Sequence, residues 1–212
     1  MKKIFYVTGS RAEYGIVRRL LTMLRETPEI QLDLAVTGMH CDNAYGNTIH
    51  IIEQDNFNII KVVDININTT SHTHILHSMS VCLNSFGDFF SNNTYDAVMV
   101  LGDRYEIFSV AIAASMHNIP LIHIHGGEKT LANYDEFIRH SITKMSKLHL
   151  TSTEEYKKRV IQLGEKPGSV FKIGSLGAEN ALSLHLPNKQ ELELKYGSLL
   201  KRYFVVVFHA VG

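Results

Sequence analysis

The sequence has no excess of charge, few cysteines and no long apolar run. Lys+Arg and Asp+Glu number 21 each among 212 residues, so the formal net charge is zero. Bulk charge therefore supplies no drive toward nucleic acid or an anionic membrane surface. A local basic pocket for a phosphate ligand stays open. There are only two cysteines, Cys41 and Cys82. A pair can form one disulfide, but in a cytoplasmic protein it reads first as free, buried or half-buried thiols. No apolar run approaches the roughly 20 residues of a membrane-spanning helix. Met1 to Val7 carries a basic pair and apolar residues but turns polar at Thr8, so it reads as a first strand and not as a signal peptide. There is no fixed-period repeat and no low-complexity tract. The dinucleotide pattern G-x-G-x-x-G is missing too, because Arg11 stands where its second Gly belongs.

What is present is an ordinary core composition, 45% hydrophobic, and a regular alternation. Lys3–Thr8 reads as a strand ended by Gly9-Ser10-Arg11. Ile16, Val17, Leu20, Leu21 and Leu24 then recur at helical spacing. Strands follow at Leu32–Val36, Ile59–Ile65, Ala97–Leu101, Pro120–His125, Leu148–Leu150 and Val170–Ile173. Helices fall between them, including one supported by Ile75, Leu76, Met79, Leu83 and Phe86, and one opening near Asp135. Ser152 with Glu155 reads as a capping box, starting a helix that runs to about Leu163 and stops at Gly164. Short alternation of this kind predicts an α/β fold: a Rossmann-like parallel sheet with helices on both faces. The expected organisation is a domain over 1–175, a connector over 176–187, and a helix and strand over 188–212. Tyr203–Phe208 (FVVVF at its core) reads as a strand, either added to the edge of the preceding sheet or, as its apolar character favours, the first strand of a second domain whose remainder is absent.

The candidate chemistry gathers where strands end, the ligand-binding edge of an open α/β sheet. Gly9 to Gly15 sits at the first strand-to-helix turn. It is either an anion-binding turn with Arg11 as a planar fork or a plain turn with a surface arginine. Asp103, after Gly102, suits a general base, a hydroxyl anchor or a turn cap. Glu128 and Asp135 lie close by in sequence, with His125 beside Gly126-Gly127. Carboxylates and a histidine around one crevice suit proton transfer, and Arg104 and Arg139 are their natural ion-pair partners. His123 and His125 alternate on a strand and are expected to face one side, with His117 and His140 near. His72, His74 and His77 form a second cluster. Polar pocket and solvated loop positions account for these histidines better than a metal shell, and no metal site is expected.

Taken together, GSRAEYG, GMH with DNAYGNT, VLGDRYE, HIHGGE, DEFIRHSITKMS and the late FH resemble the UDP-N-acetylglucosamine 2-epimerases, above all the hydrolysing enzymes of bacterial sialic acid and polysialic acid capsule synthesis. The resemblance runs from Lys3 to His209. It implies the N-terminal half of a two-domain GT-B fold in a cytoplasmic, homo-oligomeric enzyme (dimer or tetramer). The implied reaction takes UDP-GlcNAc and water to N-acetylmannosamine and UDP. It proceeds by elimination of UDP and hydration of a glycal, without cofactor or metal. Motif by motif, the resemblance gives Asp103, His125, Glu128 and Asp135 as catalytic. It gives Arg11, Glu13, His40, Arg104, Arg139 and His209 as substrate-binding.

Two departures stand out. Relatives in this family carry H-x-E where this chain has His125, so the resemblance gives the proton-transfer role to His125 or shifts it to Glu128 or Asp135. Relatives also continue past the late histidine into a second domain that supplies most of the uridine and diphosphate site, whereas this sequence reads FHAVG and stops. The expectation is therefore a partial form, weakly active or inactive. The alternatives are a non-catalytic fragment that binds sugar nucleotide weakly or pairs with intact subunits, and a GT-B glycosyltransferase.

Overall fold

The computed structural model describes residues 1–130, 134–183, 186–199, 202 and 204–207. Among them the chain divides into two compact units, Met1–Asn180 and Ala181–Gly212. The first is built on seven parallel strands: β1 (Lys2–Thr8), β2 (Ile30–Thr37), β3 (Ile59–Val63), β4 (Ala97–Leu101), β5 (Leu121–Ile124), β6 (Leu148–Thr151) and β7 (Val170–Lys172), in the order β3-β2-β1-β4-β5-β6-β7. The chain winds outward from β1 to β3, returns, and resumes at β4 on the other side of β1. The crevice at the carboxyl ends of β1 and β4 is thus the topological switch point.

Alternation along the strands explains the layers. Phe5 and Val7 of β1, with Val98 and Val100 of β4, enter one core. That core is filled by α3 (His72–Asn92), α4 (Tyr105–Met116) and α5 (Asp135–Met145) through Phe86, Phe90, Ile107, Val110 and Ile142. Tyr6, Met99 and Leu101 point the opposite way. There they meet Tyr14, Val17 and Leu21 of α1 (Arg11–Arg25) and Ile52 of α2 (Ile49–Gln54). Strands buried on both faces read as near-continuous apolar runs, which is why β4 is legible from AVMVL alone. The expected Rossmann-like sheet with helices on both faces is what forms.

Local starts and stops follow side-chain chemistry. Ser10 caps α1, its hydroxyl accepting from the Glu13 N–H at 3.4 Å. The helix α6 (Glu154–Gln162) is capped by Thr153, which accepts from the Tyr156 N–H at 3.2 Å. This corrects the expected Ser152–Glu155 box: the Ser152 hydroxyl instead donates to Glu128 Oε1 at 2.9 Å. Cys41 and Cys82 are free thiols. Among the described residues no helix is long and apolar enough to cross a membrane.

The helix α7 (Leu176–Ser183) buries Leu176 in the second core of the first unit. In the second unit, α8 (Lys189–Tyr196) opens with a true capping box. The Asn188 side chain accepts from the Glu191 N–H at 3.1 Å, and the Glu191 carboxylate accepts from the Asn188 N–H at 2.7 Å. The expected strand Tyr203–Phe208 does not form among its described residues. Phe204–Val207 lie outside any ladder and are 70–98% exposed. An apolar strand needs ladder partners and a covering layer, and the described residues provide neither. Tyr203 and Phe208 lie outside the described residues.

Candidate active site

The carboxyl edge of the sheet gathers most of the expected residues. Asp103 follows the turn after β4, half-buried, and pairs with Arg139 of α5 through Oδ2 and Nη2. Arg139 is itself buried. Its Nη2 also donates to Thr130 Oγ1 at 2.7 Å, and its Nη1 donates to the Glu128 carbonyl at 3.0 Å and to Glu136 Oε2 at 3.1 Å. One guanidinium thus ties the loop after β4, the loop after β5 and the start of α5 together. An arginine this well bonded works as a charged clamp for a carboxylate.

His125 was expected to continue the strand face of His123. It does not: β5 ends at Ile124, and His125 takes the left-handed backbone at φ 65°. Its Nδ1 lies 3.5 Å from Glu128 Oε1, the oxygen that also accepts the Ser152 hydroxyl. Burial pulls the imidazole below its ordinary pKa, and the Glu128 carboxylate opposes that. Its Nε2 is buried and has no hydrogen-bond partner. A half-buried His–Glu pair with one ring nitrogen uncommitted is an arrangement that suits proton transfer.

The turn itself is held from below by His123, which is fully buried. Its Nε2 lies 2.9 Å from the Gly102 carbonyl and its Nδ1 3.1 Å from Thr143 Oγ1. Burial lowers its pKa to about 4. Asp135 and Arg104 share a cavity of about 140 Å³ with Met39, Thr69, Tyr105 and Tyr134.

Other expected residues are interior. Glu13 is buried under the first turn, accepting from the Tyr6 hydroxyl at 2.8 Å and the Gly9 N–H at 3.0 Å. Burial raises its carboxyl to about 8, against the pull of those two bonds. His40 is buried between Thr8 Oγ1 at 3.1 Å and Thr48 Oγ1 at 2.8 Å, and burial lowers it to about 4. Both have their polar atoms committed to protein groups. Arg11 stands exposed in the first turn of α1. His209 lies outside the described residues. Among the described residues no three His, Cys, Asp or Glu side chains group to hold a metal ion.

Sequence reasoning missed Glu106. It is fully buried, pairs with Arg104 through Oε1, and leaves Oε2 without a partner. Its carboxylate lies under Gly9: a Cβ there would come within 2.5 Å of Oε1. The available signal was an acid two positions after Arg104 on an otherwise apolar helix.

The Glu13 carboxyl gives a testable pH dependence. A folded-state value near 8 against an unfolded value near 4.5 means that the folded protein holds the extra proton between those values. Its contribution is therefore complete at low pH and is lost as pH rises toward 8. Glu13→Gln should remove that slope. Its urea midpoint, relative to the unmodified chain, should improve steadily from pH 5 to pH 8. A flat difference would refute a protonated Glu13.

Comparison with known proteins extends this geometry. The UDP-N-acetylglucosamine 2-epimerase family model matches residues 22–212. The chain is 99% identical over 209 residues to the polysialic acid biosynthesis protein P7 of Escherichia coli, covering 99% of this chain and 54% of that protein. It is 36% identical over 212 residues to the hydrolyzing UDP-N,N'-diacetylbacillosamine 2-epimerase of Legionella pneumophila, covering 100% of this chain and 56% of that one. The chain thus spans about half the length of the curated relatives it matches. Among solved structures, the UDP-GlcNAc 2-epimerase of Methanocaldococcus jannaschii in complex with UDP-GlcNAc and UDP superposes with a TM-score of 0.73. The identity is 20%, over 85% of this chain and 48% of that one.

Proposed function

The chain belongs to the UDP-N-acetylglucosamine 2-epimerase family, and on that premise we propose that its sheet edge carries the chemistry of a hydrolysing enzyme. The substrate is UDP-GlcNAc, and the products are N-acetylmannosamine and UDP. The observation that carries this reading is the clamp of Arg139 on Asp103, beside the His125–Glu128 pair. Elimination needs a base for the C2 hydrogen and stabilisation for the departing diphosphate. In the first step the C2–H electrons form the C1=C2 bond and the C1–O bond breaks toward UDP. In the second, water adds its oxygen to C1 while a proton returns to C2 from the opposite face.

Asp103 and Asp135 are the carboxylates for these transfers, and His125 with Glu128 is the proton-carrying pair. Arg11 and Arg104 are suited to the sugar and diphosphate and His209 to the diphosphate, while Arg139, its Nη atoms committed to protein groups, orients the Asp103 carboxylate. Glu13 and His40, from the same motifs, act by shaping the floor of the site. The reading extends to a cytoplasmic homo-oligomer. NMR detection of UDP and N-acetylmannosamine from UDP-GlcNAc tests it. No product from the full-length Escherichia coli relative would overturn it.

A second reading rests on the span of the chain, about half that of its curated relatives. By itself it binds UDP-GlcNAc weakly and turns it over poorly. Here residues 1–175 are a first domain, 176–187 a connector and 188–212 the opening of a second. A chain ended after Leu186 should then keep its thermal midpoint and stay monomeric at concentrations where the 212-residue chain associates through its exposed Phe204–Val207 run. Loss of cooperative unfolding in the shortened chain would place the boundary elsewhere.

A further inference from the structure

The buried groups beneath the sheet edge differ in how many elements they join. His123 joins three. It sits near the end of β5, its Nε2 meets the carbonyl of Gly102 in the turn after β4, and its Nδ1 meets the hydroxyl of Thr143 on α5. The chemistry of the partners fixes the proton. A carbonyl only accepts, so Nε2 carries the hydrogen. Nδ1 is then an acceptor, and the Thr143 hydroxyl donates to it. A neutral ring with one proton satisfies both bonds; a doubly protonated ring would reverse the second, Nδ1–H donating to the hydroxyl oxygen, and would bury an added charge.

The geometry around this ring is tight. A Cβ on Gly126 would lie 3.1 Å from both His123 Nδ1 and Thr143 Oγ1. Gly102 immediately precedes Asp103. Thr143 lies one helical turn beyond Arg139, and Asp135 opens the same helix. His125, two residues past His123, takes its positive φ directly after the strand that the ring anchors. The ring therefore fixes the separation between the turn carrying Asp103 and the helix carrying Arg139 and Asp135. Two charged groups in a cleft find each other only as well as their backbones are held.

We propose that His123 is the positioning residue of this site: it touches no substrate, and it holds the Gly102–Asp103 turn against the helix of Arg139 and Asp135 through a fixed Nε2–H tautomer. The inference rests on the proposed epimerase reading for its catalytic half. Its structural half stands on the hydrogen bonds alone. A displacement of the order of 1 Å at a reacting group costs about a hundredfold in rate, so loss of the ring should act on kcat before KM.

Two measurements test it. Nitrogen-15 NMR of the imidazoles in this chain should find, among the histidines that stay neutral between pH 6 and 8, an Nε2–H tautomer with a slowly exchanging ring proton whose signals vanish in His123→Gln. An Nδ1–H tautomer or a doubly protonated ring at His123 would overturn the proposal. In the full-length Escherichia coli relative, the equivalent His123→Leu should lower kcat about 10- to 100-fold with KM within about twofold. His123→Gln, whose amide can donate to one partner and accept from the other, should recover most of the loss. If the Leu variant does not fold, Thr143→Val, which removes only the second bond, should still lower kcat several-fold. Unchanged kcat in a folded Leu or Val variant would overturn the proposal. No product from the unmodified relative would instead overturn the epimerase reading and the catalytic half with it, while the ring spectrum still decides the structural half.

Discussion

Asp103→Asn, made at the equivalent position of the full-length Escherichia coli relative, is expected to lower N-acetylmannosamine formation by at least about a hundredfold, the usual scale of a positioned acid or base. Asn keeps the size and one acceptor oxygen but loses the charge and the basicity. The fold should survive, because Arg139 keeps Glu136, Thr130 and the Glu128 carbonyl. Circular dichroism and the thermal midpoint should therefore stay close to those of the unmodified protein. UDP and N-acetylmannosamine can be counted together by proton NMR. A fall in both in step means that the elimination itself has slowed. A variant within threefold of the parent would remove Asp103 from the chemistry. Arg139→Lys makes a useful companion: it keeps the charge but loses the fork that reaches several partners.

Gly127→Ala is expected to give the largest loss of stability. The residue sits at φ 77°, and an added Cβ would come within 2.4 Å of the Tyr156 carbonyl oxygen and 2.9 Å of Val160 Cγ2. Backbone strain of a residue in a poorly populated region adds to overpacking against α6, for a total of about 2–4 kcal/mol. The first neighbour is backbone, so it cannot swing aside. In a chain of this length the thermal midpoint should fall by roughly 4–16 °C. The Arg159 side chain, which donates to the Gly127 carbonyl at 2.5 Å, would be displaced as well. A loss under about 1 kcal/mol would mean that the loop after β5 relaxes freely. Urea unfolding followed by far-ultraviolet dichroism decides between the two.

Much of this architecture was legible in the sequence because burial on both faces writes itself into a strand. AVMVL and LIHI cannot be half-solvated, and the glycines after them mark where the chain turns. The site was legible as a neighbourhood but not as orientations. Glu13 and His40 belong to motifs at the sheet edge, yet their side chains turn inward, and no spacing rule separates a residue above the turn from one beneath it. Glu106 was hidden by its own helix: an acid among Tyr105, Ile107 and Val110 gives no periodic signal, and only the close approach of Gly9 reveals it. His125 was misread because alternation was carried one residue past the strand. The cap at Thr153 was misread because two adjacent hydroxyl residues compete for one role, and Ser152 is drawn off by Glu128.

The position of β1 between β2 and β4 bears on how the protein is made. Ile4 pairs with residue Ala97, roughly 90 positions later. At a synthesis rate of about 5–20 residues per second, the far side of the first strand waits some 5–20 s for its neighbour to leave the ribosome. Through that interval β1 has β2 on one edge and no strand on the other, and the loop to be closed is among the longest in the chain. The first strand translated thus keeps one bare edge until nearly half of the chain has been made. A nascent chain stalled before Ala97 should be the species that chaperones hold and proteases cut.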